Sequence, residues 1–302
     1  MSKAVVGIDL GGTRIKAAVL GPEGGVIYQQ YLPTNDSSEA VWKGSVLQAV
    51  QESASRLNTP DFIVGISAPG IPDETNSAIA HMPGRLEGLQ HFDWSSFLGH
   101  KTSVINDGVA ALTAEARAGA ARGKKNVVLL TLGTGVGGAI LIEGKPYQGA
   151  FQKAGHMGHM VVDGESGPDI TGMPGSLENA IGNCTVLQRS GGKFADTHAL
   201  LEAYRSGDLF ARRVWLQSVQ KLALGIASLT NILSPECVIL GGGITEAGGD
   251  LFEPLESFLD LYEWRVGGNR MTILKAGLGD MAGAVGAAYF ALMQEDKLKT
   301  TM

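Results

Sequence analysis

Near its start the chain reads Val5-Val6-Gly7-Ile8-Asp9-Leu10-Gly11-Gly12-Thr13-Arg14-Ile15-Lys16-Ala17-Ala18-Val19-Leu20. The β-branched residues favour extended backbone on both sides of the central glycines, so the stretch predicts two strands joined by a turn. Gly11 and Gly12 can adopt positive φ and carry no Cβ, which lets the amides of the turn approach phosphate oxygens. Asp9 ends the first strand, where a carboxylate can hold a hydrated magnesium ion beside those phosphates. The alternative is a tight hairpin whose glycines serve only the turn.

The same arrangement returns in the middle of the chain. A predicted strand over residues 126–132 leads into Gly133-Thr134-Gly135-Val136-Gly137-Gly138, and a second strand follows to residue 142. Neither turn has the Gly-x-x-x-x-Gly-Lys-Ser/Thr pattern of a Walker loop, and the first runs into a strand rather than a helix. A repeated strand–turn–strand unit predicts a duplicated architecture with a cleft between the halves.

The composition limits the class of protein. The 302 residues suffice for two domains, and 44% apolar with 18% charged residues suits a compact soluble chain. A net charge of −6 argues against non-specific nucleic-acid binding. No apolar run is long enough to span a bilayer and no signal segment is recognisable, so we expect a cytoplasmic protein. The two cysteines, Cys184 and Cys237, are expected to be reduced.

Strands alternate with helices along the chain, which is typical of an α/β fold. Helices are predicted over residues 38–57, 109–121, 195–206, 209–234 and 282–297. We expect an N-terminal domain over residues 1–118 and a larger C-terminal domain over residues 119–302, with the last helix free to pack back on the first domain. Ligands of such folds bind at the carboxyl ends of the strands, where both glycine turns and Asn106-Asp107 are predicted to lie.

Asn106-Asp107 has the chemistry for activating a hydroxyl group. A carboxylate within hydrogen-bond reach can take the proton of an attacking alcohol, while a neighbouring amide orients the substrate. The alternative is that the pair serves as the N-terminal cap of the helix that follows.

Five motifs occur in order: Asp9-x-Gly-Gly-Thr, Asn106-Asp107, Leu132-Gly-Thr-Gly-x-Gly-Gly, Gly158-His159-Met160 and Gly241-Gly242-Gly243. In this combination the chain resembles the ROK family of sugar kinases and repressors, part of the actin-like ATPase and sugar-kinase superfamily. The resemblance runs from Val5 to about Leu292, and the combination is far more specific than any single motif. It implies an α/β fold of duplicated actin-like ATPase (ribonuclease H-like) domains with an interdomain cleft.

The resemblance also implies a role for each motif in an ATP-dependent sugar kinase. Asp107 would be the base that deprotonates the sugar hydroxyl, and Asn106 would bind the sugar. The other implied sugar-binding residues are Gly70, His156, His159 and Glu178. The implied ATP-binding residues are Gly11, Gly12, Thr13, Lys16, Gly133, Thr134, Gly135, Gly242 and Gly243. Asp9 would hold Mg²⁺ through a water molecule, and the resemblance implies a homodimer.

The chain departs from the family pattern on the sugar side. The usual Glu-x-Gly-His is here His156-Met157-Gly158-His159, and a neutral imidazole offers one donor and one acceptor where a carboxylate only accepts. The cysteine motif that binds zinc is replaced by residues 168–176, so no zinc is expected. The family's Pro-Asn sugar loop is Pro83-Gly84.

These departures indicate a sugar other than ordinary glucose. The alternative is that the substrate is still glucose, with compensating contacts from His81 or Arg85. His156 can also be a loop histidine that touches no ligand. A sugar-sensing repressor is disfavoured because the first strand begins near Ala4, where family repressors carry a DNA-binding helix-turn-helix. A non-catalytic or regulatory sugar-binding protein is the other hypothesis, and polyphosphate is an alternative phosphate donor. Which sugar and which hydroxyl react are not readable from the sequence.

Overall fold

The computed structural model describes residues 3–82 and 86–301, so Pro83, Gly84 and Arg85 lie outside the described residues. The chain forms two compact units. Unit 1 comprises Met1–Gly123, Pro146–Ala154 and Gly277–Met302, and unit 2 comprises Lys124–Lys145 and Gly155–Ala276. Both units are discontinuous in sequence, whereas the domains predicted from the sequence, 1–118 and 119–302, are continuous.

Unit 1 is built on a five-stranded mixed sheet. Its strands are β1 (Ala4–Leu10), β2 (Arg14–Leu20), β3 (Val26–Pro33), β4 (Phe62–Ala68) and β7 (Thr102–Asn106), and a small hairpin pairs β5 (Ile71–Pro72) with β6 (Ile79–His81). The order in the sheet is β3-β2-β1-β4-β7. The opening stretch is the antiparallel pair β1–β2 that the sequence predicts, while β4 and β7 run parallel to β1.

The helices of unit 1 are α1 (Glu39–Ala54), α2 (Trp94–Leu98), α3 (Asp107–Ala118) and α9 (Ala282–Thr301). Helix α9 lies against the sheet with almost no space between the backbones. A Cβ on Gly7 would stand 2.0 Å from the Ala284 carbonyl oxygen, and one on Gly65 would stand 1.9 Å from that of Ala287. Only glycine fits at these two sheet positions, because any side chain would displace the helix.

A buried carboxylate joins α3 to the segment that precedes α9. Glu115 is fully buried, and its Oε1 accepts hydrogen bonds from the amides of Gly277 and Leu278, both at 2.9 Å. Its Oε2 accepts from the amide of Ala120 at 2.7 Å. These bonds satisfy backbone donors that would otherwise be buried without a partner.

Unit 2 repeats the strand arrangement of unit 1. The second five-stranded sheet consists of β8 (Val127–Leu132), β9 (Val136–Ile142), β10 (Lys145–Tyr147, of which only Lys145 belongs to unit 2), β11 (Cys237–Gly241) and β12 (Thr272–Lys275), in the order β10-β9-β8-β11-β12. Strand β8 pairs antiparallel with β9 across a glycine turn and parallel with β11, as β1 does with β2 and β4. The duplicated α/β architecture expected from the sequence is therefore present.

The helices of unit 2 are α4 (Leu177–Ile181), α5 (Val186–Arg189), α6 (Thr197–Arg205), α7 (Leu209–Leu233) and α8 (Gly249–Tyr262). Helix α7 buries one face, with Trp215, Val219, Leu222 and Ile226 fully buried in the core. Helix α8 was not predicted, because Gly248-Gly249 at its start and Pro254 inside it weaken the helical pattern. Within the described residues, none of the helices is both long and apolar enough to cross a membrane.

Candidate active site

Three polar side chains of unit 1 lie side by side at the carboxyl ends of its parallel strands. Asp9 of β1 is in register with Ser67 of β4, and Ala68 of β4 is in register with Asn106 of β7. Parallel strands end at one edge of the sheet, so this edge collects functional groups from distant parts of the sequence.

The carboxylate of Asp9 is held on both oxygens. Its Oδ1 accepts a hydrogen bond from Ser67 Oγ at 2.7 Å, and its Oδ2 lies 3.2 Å from Nζ of Lys16, the residue opposite it on β2. A Cβ on Gly283 would stand 2.4 Å from the carboxyl carbon, so Asp9 faces the first turn of α9. The N-terminal end of a helix favours an anion, so this position suits a carboxylate.

The backbone amides of the turn after β1 differ in their hydrogen bonding. The Gly11 amide donates to the Arg14 carbonyl at 3.1 Å, and Thr34 Oγ1 donates to the Gly11 carbonyl at 2.6 Å. The amides of Gly12 and Thr13 have no acceptor among the residues that the structure describes. Such paired free amides suit a phosphate group.

Asn106 is both a helix cap and a loop anchor. Its Oδ1 accepts from the Gly108 amide at 2.9 Å, and its Nδ2 donates to the Gly70 carbonyl at 3.0 Å. Gly70 has φ +104, and a Cβ there would stand 2.6 Å from the His81 carbonyl oxygen. The capping interpretation of Asn106 is therefore correct, and the side chain also fixes the loop that contains Gly70.

Asp107 is the first residue of α3 and is exposed to solvent. Its Oδ1 accepts from the Gly108 amide at 2.8 Å. Desolvation, followed by the negative charge of Asp9, raises the pKa of Asp107 above its ordinary value of 3.8. The result is an accessible carboxyl group with one oxygen held and an enhanced affinity for a proton.

Unit 2 carries a matching turn after β8. The Gly133 amide donates to the Gly135 carbonyl at 3.0 Å, and the Val136 amide donates to Oε2 of Glu178 at 2.9 Å. A Cβ on Gly135 would stand 2.1 Å from the same Oε2, so Glu178 lies against the turn. The amides of Thr134 and Gly135 have no acceptor within the described part of the chain.

A cavity of about 500 Å³ opens at the carboxyl ends of β8 and β11. Gly242 has φ +87, and a Cβ there would stand 2.3 Å from the Leu132 carbonyl oxygen, so the Gly241–Gly243 turn packs directly on the end of β8. Three of the predicted ATP-binding residues line the cavity: Gly133, Thr134 and Gly243. The residues that sequence reasoning missed are Asn183, Thr197, His198, Leu201, Arg205, Ile244, Glu246 and Ala247.

No sequence signal could have identified most of these lining residues. Helix α6 supplies Thr197, His198, Leu201 and Arg205, and its polar face reads as an ordinary solvated surface. Its position follows from packing against α7, which is a tertiary property.

His159 also lies in unit 2, and its ring forms a close pair with a carboxylate. Its Nδ1 lies 2.8 Å from Oδ2 of Asp169. His156, three residues earlier, is half-buried. Within residues 3–82 and 86–301, no three His, Cys, Asp or Glu side chains group together in a way that could hold a metal ion. Magnesium bound through water and phosphate oxygens does not require such a group.

The sequence is similar to those of known proteins. The model of the ROK family matches residues 5–294. A protein named glucokinase from Halalkalibacterium halodurans is 31% identical over 97% of this chain and 96% of its own length.

Two solved structures share the fold. A ROK hexokinase from Thermus thermophilus superposes with a TM-score of 0.88 at 27% identity, covering 97% of this chain and 99% of its own. A ROK family glucokinase from Streptomyces griseus, solved with glucose and AMPPNP, has a TM-score of 0.76 at 27% identity, covering 96% of this chain and 99% of its own.

Proposed function

We propose, since the chain belongs to the ROK family, that it transfers the γ-phosphoryl group of ATP to a sugar hydroxyl with Asp107 as the general base. The chain is an ATP-dependent sugar kinase, as its similarity to proteins named glucokinase over nearly the full length supports. The observation that carries the assignment of the base is the exposed Asp107 side chain, whose pKa is raised by desolvation and by the charge of Asp9.

Asp107 is suited to accept a proton from an alcohol. The Gly108 amide holds Oδ1, and we expect Oδ2 to receive the substrate hydroxyl. A carboxylate with a raised pKa is a stronger base than an ordinary one. The same carboxylate orients the hydroxyl for in-line attack, which is the main demand of phosphoryl transfer on a protein.

The nucleotide is proposed to bind through backbone amides and the cavity of unit 2. Four backbone amides are proposed to donate hydrogen bonds to the phosphate groups of the nucleotide. They have no acceptor among the described residues and belong to Gly12, Thr13, Thr134 and Gly135. The cavity beside Gly243, at about 500 Å³, is large enough for a nucleoside. A cavity of this kind favours ATP over polyphosphate, which has no group to fill it.

Asp9 is the proposed magnesium residue. Its carboxylate is fixed by Ser67 and Lys16, and it faces the same edge of the sheet as Asp107. A bound Mg²⁺ ion would neutralise phosphate charge at this edge. Lys16, which pairs with Asp9, is proposed to bind the ATP phosphates at the same edge.

The sugar is proposed to be a hexose or a hexose derivative, bound by Asn106, His156, His159 and Glu178. Gly70 acts through its backbone, since its carbonyl fixes the amide of Asn106. The imidazole of His156 stands where the family has a carboxylate, which can only accept hydrogen bonds. We therefore expect the enzyme to prefer a sugar whose substituents differ from the hydroxyl groups of glucose. The alternative is that the sugar is glucose and that His81 or Arg85 supplies compensating contacts.

A homodimer is proposed on the family resemblance. Unit 2 exposes large apolar side chains beside a second cavity of about 360 Å³, including Trp264 at 75% and Val266 at 56%. Light scattering of the purified protein measures the oligomeric state directly.

The decisive experiment measures ADP release with magnesium–ATP against hexoses, amino sugars, N-acetylated sugars and sugar alcohols. Asp107→Asn should lower kcat about 10²- to 10⁴-fold with little change in KM for ATP. Asp61→Asn, which alters a surface carboxylate paired with Lys3, is the matched control. Undiminished turnover in Asp107→Asn would remove the residue from the mechanism. A sugar that raises the Tm of the wild type without any ADP release would favour the regulatory alternative.

A further inference from the structure

The loop over residues 163–175 stands where the family resemblance leads one to expect a zinc motif, and its residues do not fit that metal. It holds no cysteine, and the described residues offer no cluster of three metal-ligating side chains. The loop is closed by its own backbone instead. The Val162 amide donates to the Gly175 carbonyl at 2.9 Å, and the Asp169 amide donates to the Met173 carbonyl at 2.9 Å.

The centre of this loop is the carboxylate of Asp169. Its Oδ1 accepts from the Thr171 amide at 2.8 Å, from Thr171 Oγ1 at 2.7 Å and from the Met173 amide at 3.1 Å. Its Oδ2 faces Nδ1 of His159 at 2.8 Å. The Asp169 side chain is inaccessible to water, although the loop itself lies at the surface.

These contacts keep Asp169 ionised. Desolvation acts to raise its pKa, but the hydrogen bonds from Thr171, His159 and Met173 together lower the pKa well below the ordinary value. An ionised carboxylate only accepts hydrogen bonds, so the proton between the two side chains belongs to His159.

We propose that Asp169 is a positioning residue that fixes the ring of His159 in the Nδ1–H tautomer, so that Nε2 presents a lone pair to a sugar hydroxyl. The His159 side chain is 31% exposed, which leaves its far nitrogen accessible. The proposal rests on the proposed function, in which His159 contacts the sugar. A histidine whose second nitrogen is bound to a carboxylate has a fixed orientation and a more basic outer nitrogen.

Asp169→Asn tests this role with little change of shape. An asparagine oxygen can still accept from Thr171 and Met173, while its amide would offer a proton to Nδ1 and so favour the Nε2–H tautomer of His159. The expected result is a rise of about 10- to 100-fold in KM for the sugar, with KM for ATP unchanged. Asp163→Asn is the control, because it makes the same substitution in the same loop at a carboxylate bound to Ser166 and Lys221.

The tautomer is measured by long-range ¹H–¹⁵N NMR of ¹⁵N-histidine-labelled protein at alkaline pH, where imidazoles are neutral. We expect Nδ1–H in the wild type and Nε2–H in Asp169→Asn. An Nε2–H tautomer in the wild type overturns the proposal even if no variant folds. An unchanged KM for the sugar in a folded Asp169→Asn protein also overturns it. If the wild type phosphorylates no sugar, the proposed function fails, and the wild-type tautomer still decides whether Asp169 sets the proton on His159.

Discussion

Ser67 donates a hydrogen bond from Oγ to Oδ1 of Asp9 over 2.7 Å, across two adjacent parallel strands. Ser67 is fully buried, so this hydroxyl has no access to water. The bond therefore fixes the carboxylate that we propose for magnesium, and it does so from a residue that no motif singled out.

Ser67→Ala should lower the free energy of unfolding by about 1.5–3 kcal/mol, the range for a hydrogen bond to a charged group. It should also raise KM for magnesium–ATP, because Asp9 loses the bond that orients it. Urea unfolding and initial-rate kinetics measure the two effects. Ser45→Ala, at a half-buried serine whose hydroxyl donates to the Val41 carbonyl of its own helix, is the control.

The rate of sugar phosphorylation should fall on acidification at a pH above the ordinary carboxyl range. Asp107 must be ionised to accept a proton, and its pKa is raised above 3.8. The profile of kcat/KM against pH for the sugar gives the pKa of the base in the free enzyme. An acidic limb that falls only near pH 3.8 would contradict the raised pKa.

Asp107→Asn should be more stable than the wild type at neutral pH. A carboxyl whose pKa is higher in the folded protein than in the unfolded chain binds its proton more tightly when folded. The wild type therefore loses stability as the pH rises from the unfolded value of Asp107 through the folded one, and the asparagine variant does not. The difference in Tm between the two proteins should grow from acidic to neutral pH. A Tm difference that does not change with pH would exclude this linkage.

Gly65→Ala and Gly44→Ala should have opposite effects on stability. A Cβ at Gly65 would stand 1.9 Å from the Ala287 carbonyl oxygen, which forces α9 off the sheet. We expect a loss of about 3 kcal/mol or more. Gly44 lies inside α1 with nothing within 4 Å of the added carbon, so alanine there should stabilise by about 0.5–1 kcal/mol. Equal effects in urea unfolding would contradict the close packing.

Glu115→Gln should destabilise the protein by about 3 kcal/mol, since the added amide would face backbone donors. The carboxylate accepts from Ala120, Gly277 and Leu278, and a carboxamide cannot accept on both ends. Glu202→Gln is the control at an exposed position, with an expected effect within about 0.5 kcal/mol. A neutral result for Glu115→Gln in thermal unfolding would mean that the carboxylate contributes little.

The predictable part of this molecule is the part with local signals. The antiparallel pair β1–β2, the second glycine turn and helix α7 all follow from spacing and residue type within single stretches. Asn106 at the end of β7 was also predictable, because an Asn-Asp pair between a strand and a helix has few local interpretations. The motif singles out Gly242 as a glycine of interest. The reason that only glycine fits there, the close contact with Leu132, is visible only in the structure.

The unpredicted features depend on which elements meet in space. Ser67 reads as an ordinary residue of a buried strand until the register places it beside Asp9. Thr197 and Arg205 line the cavity only because α6 packs where it does. Asp169 lies in the segment that replaces the family's zinc motif. Its proposed role, the positioning of His159, depends on a loop that brings the two side chains together.

The place of helix α9 in the chain also determines when the fold of unit 1 can be completed during synthesis. It follows unit 2 in the chain, yet Val5, Leu20 and Ile63 of strands that precede unit 2 are buried in a cluster with its Ala288 and Ala291. All of unit 2 leaves the ribosome before that helix exists. The sheet of unit 1 is therefore synthesised before unit 2 but covered only after it, and a nascent chain stopped before Ala282 exposes the apolar face of that sheet.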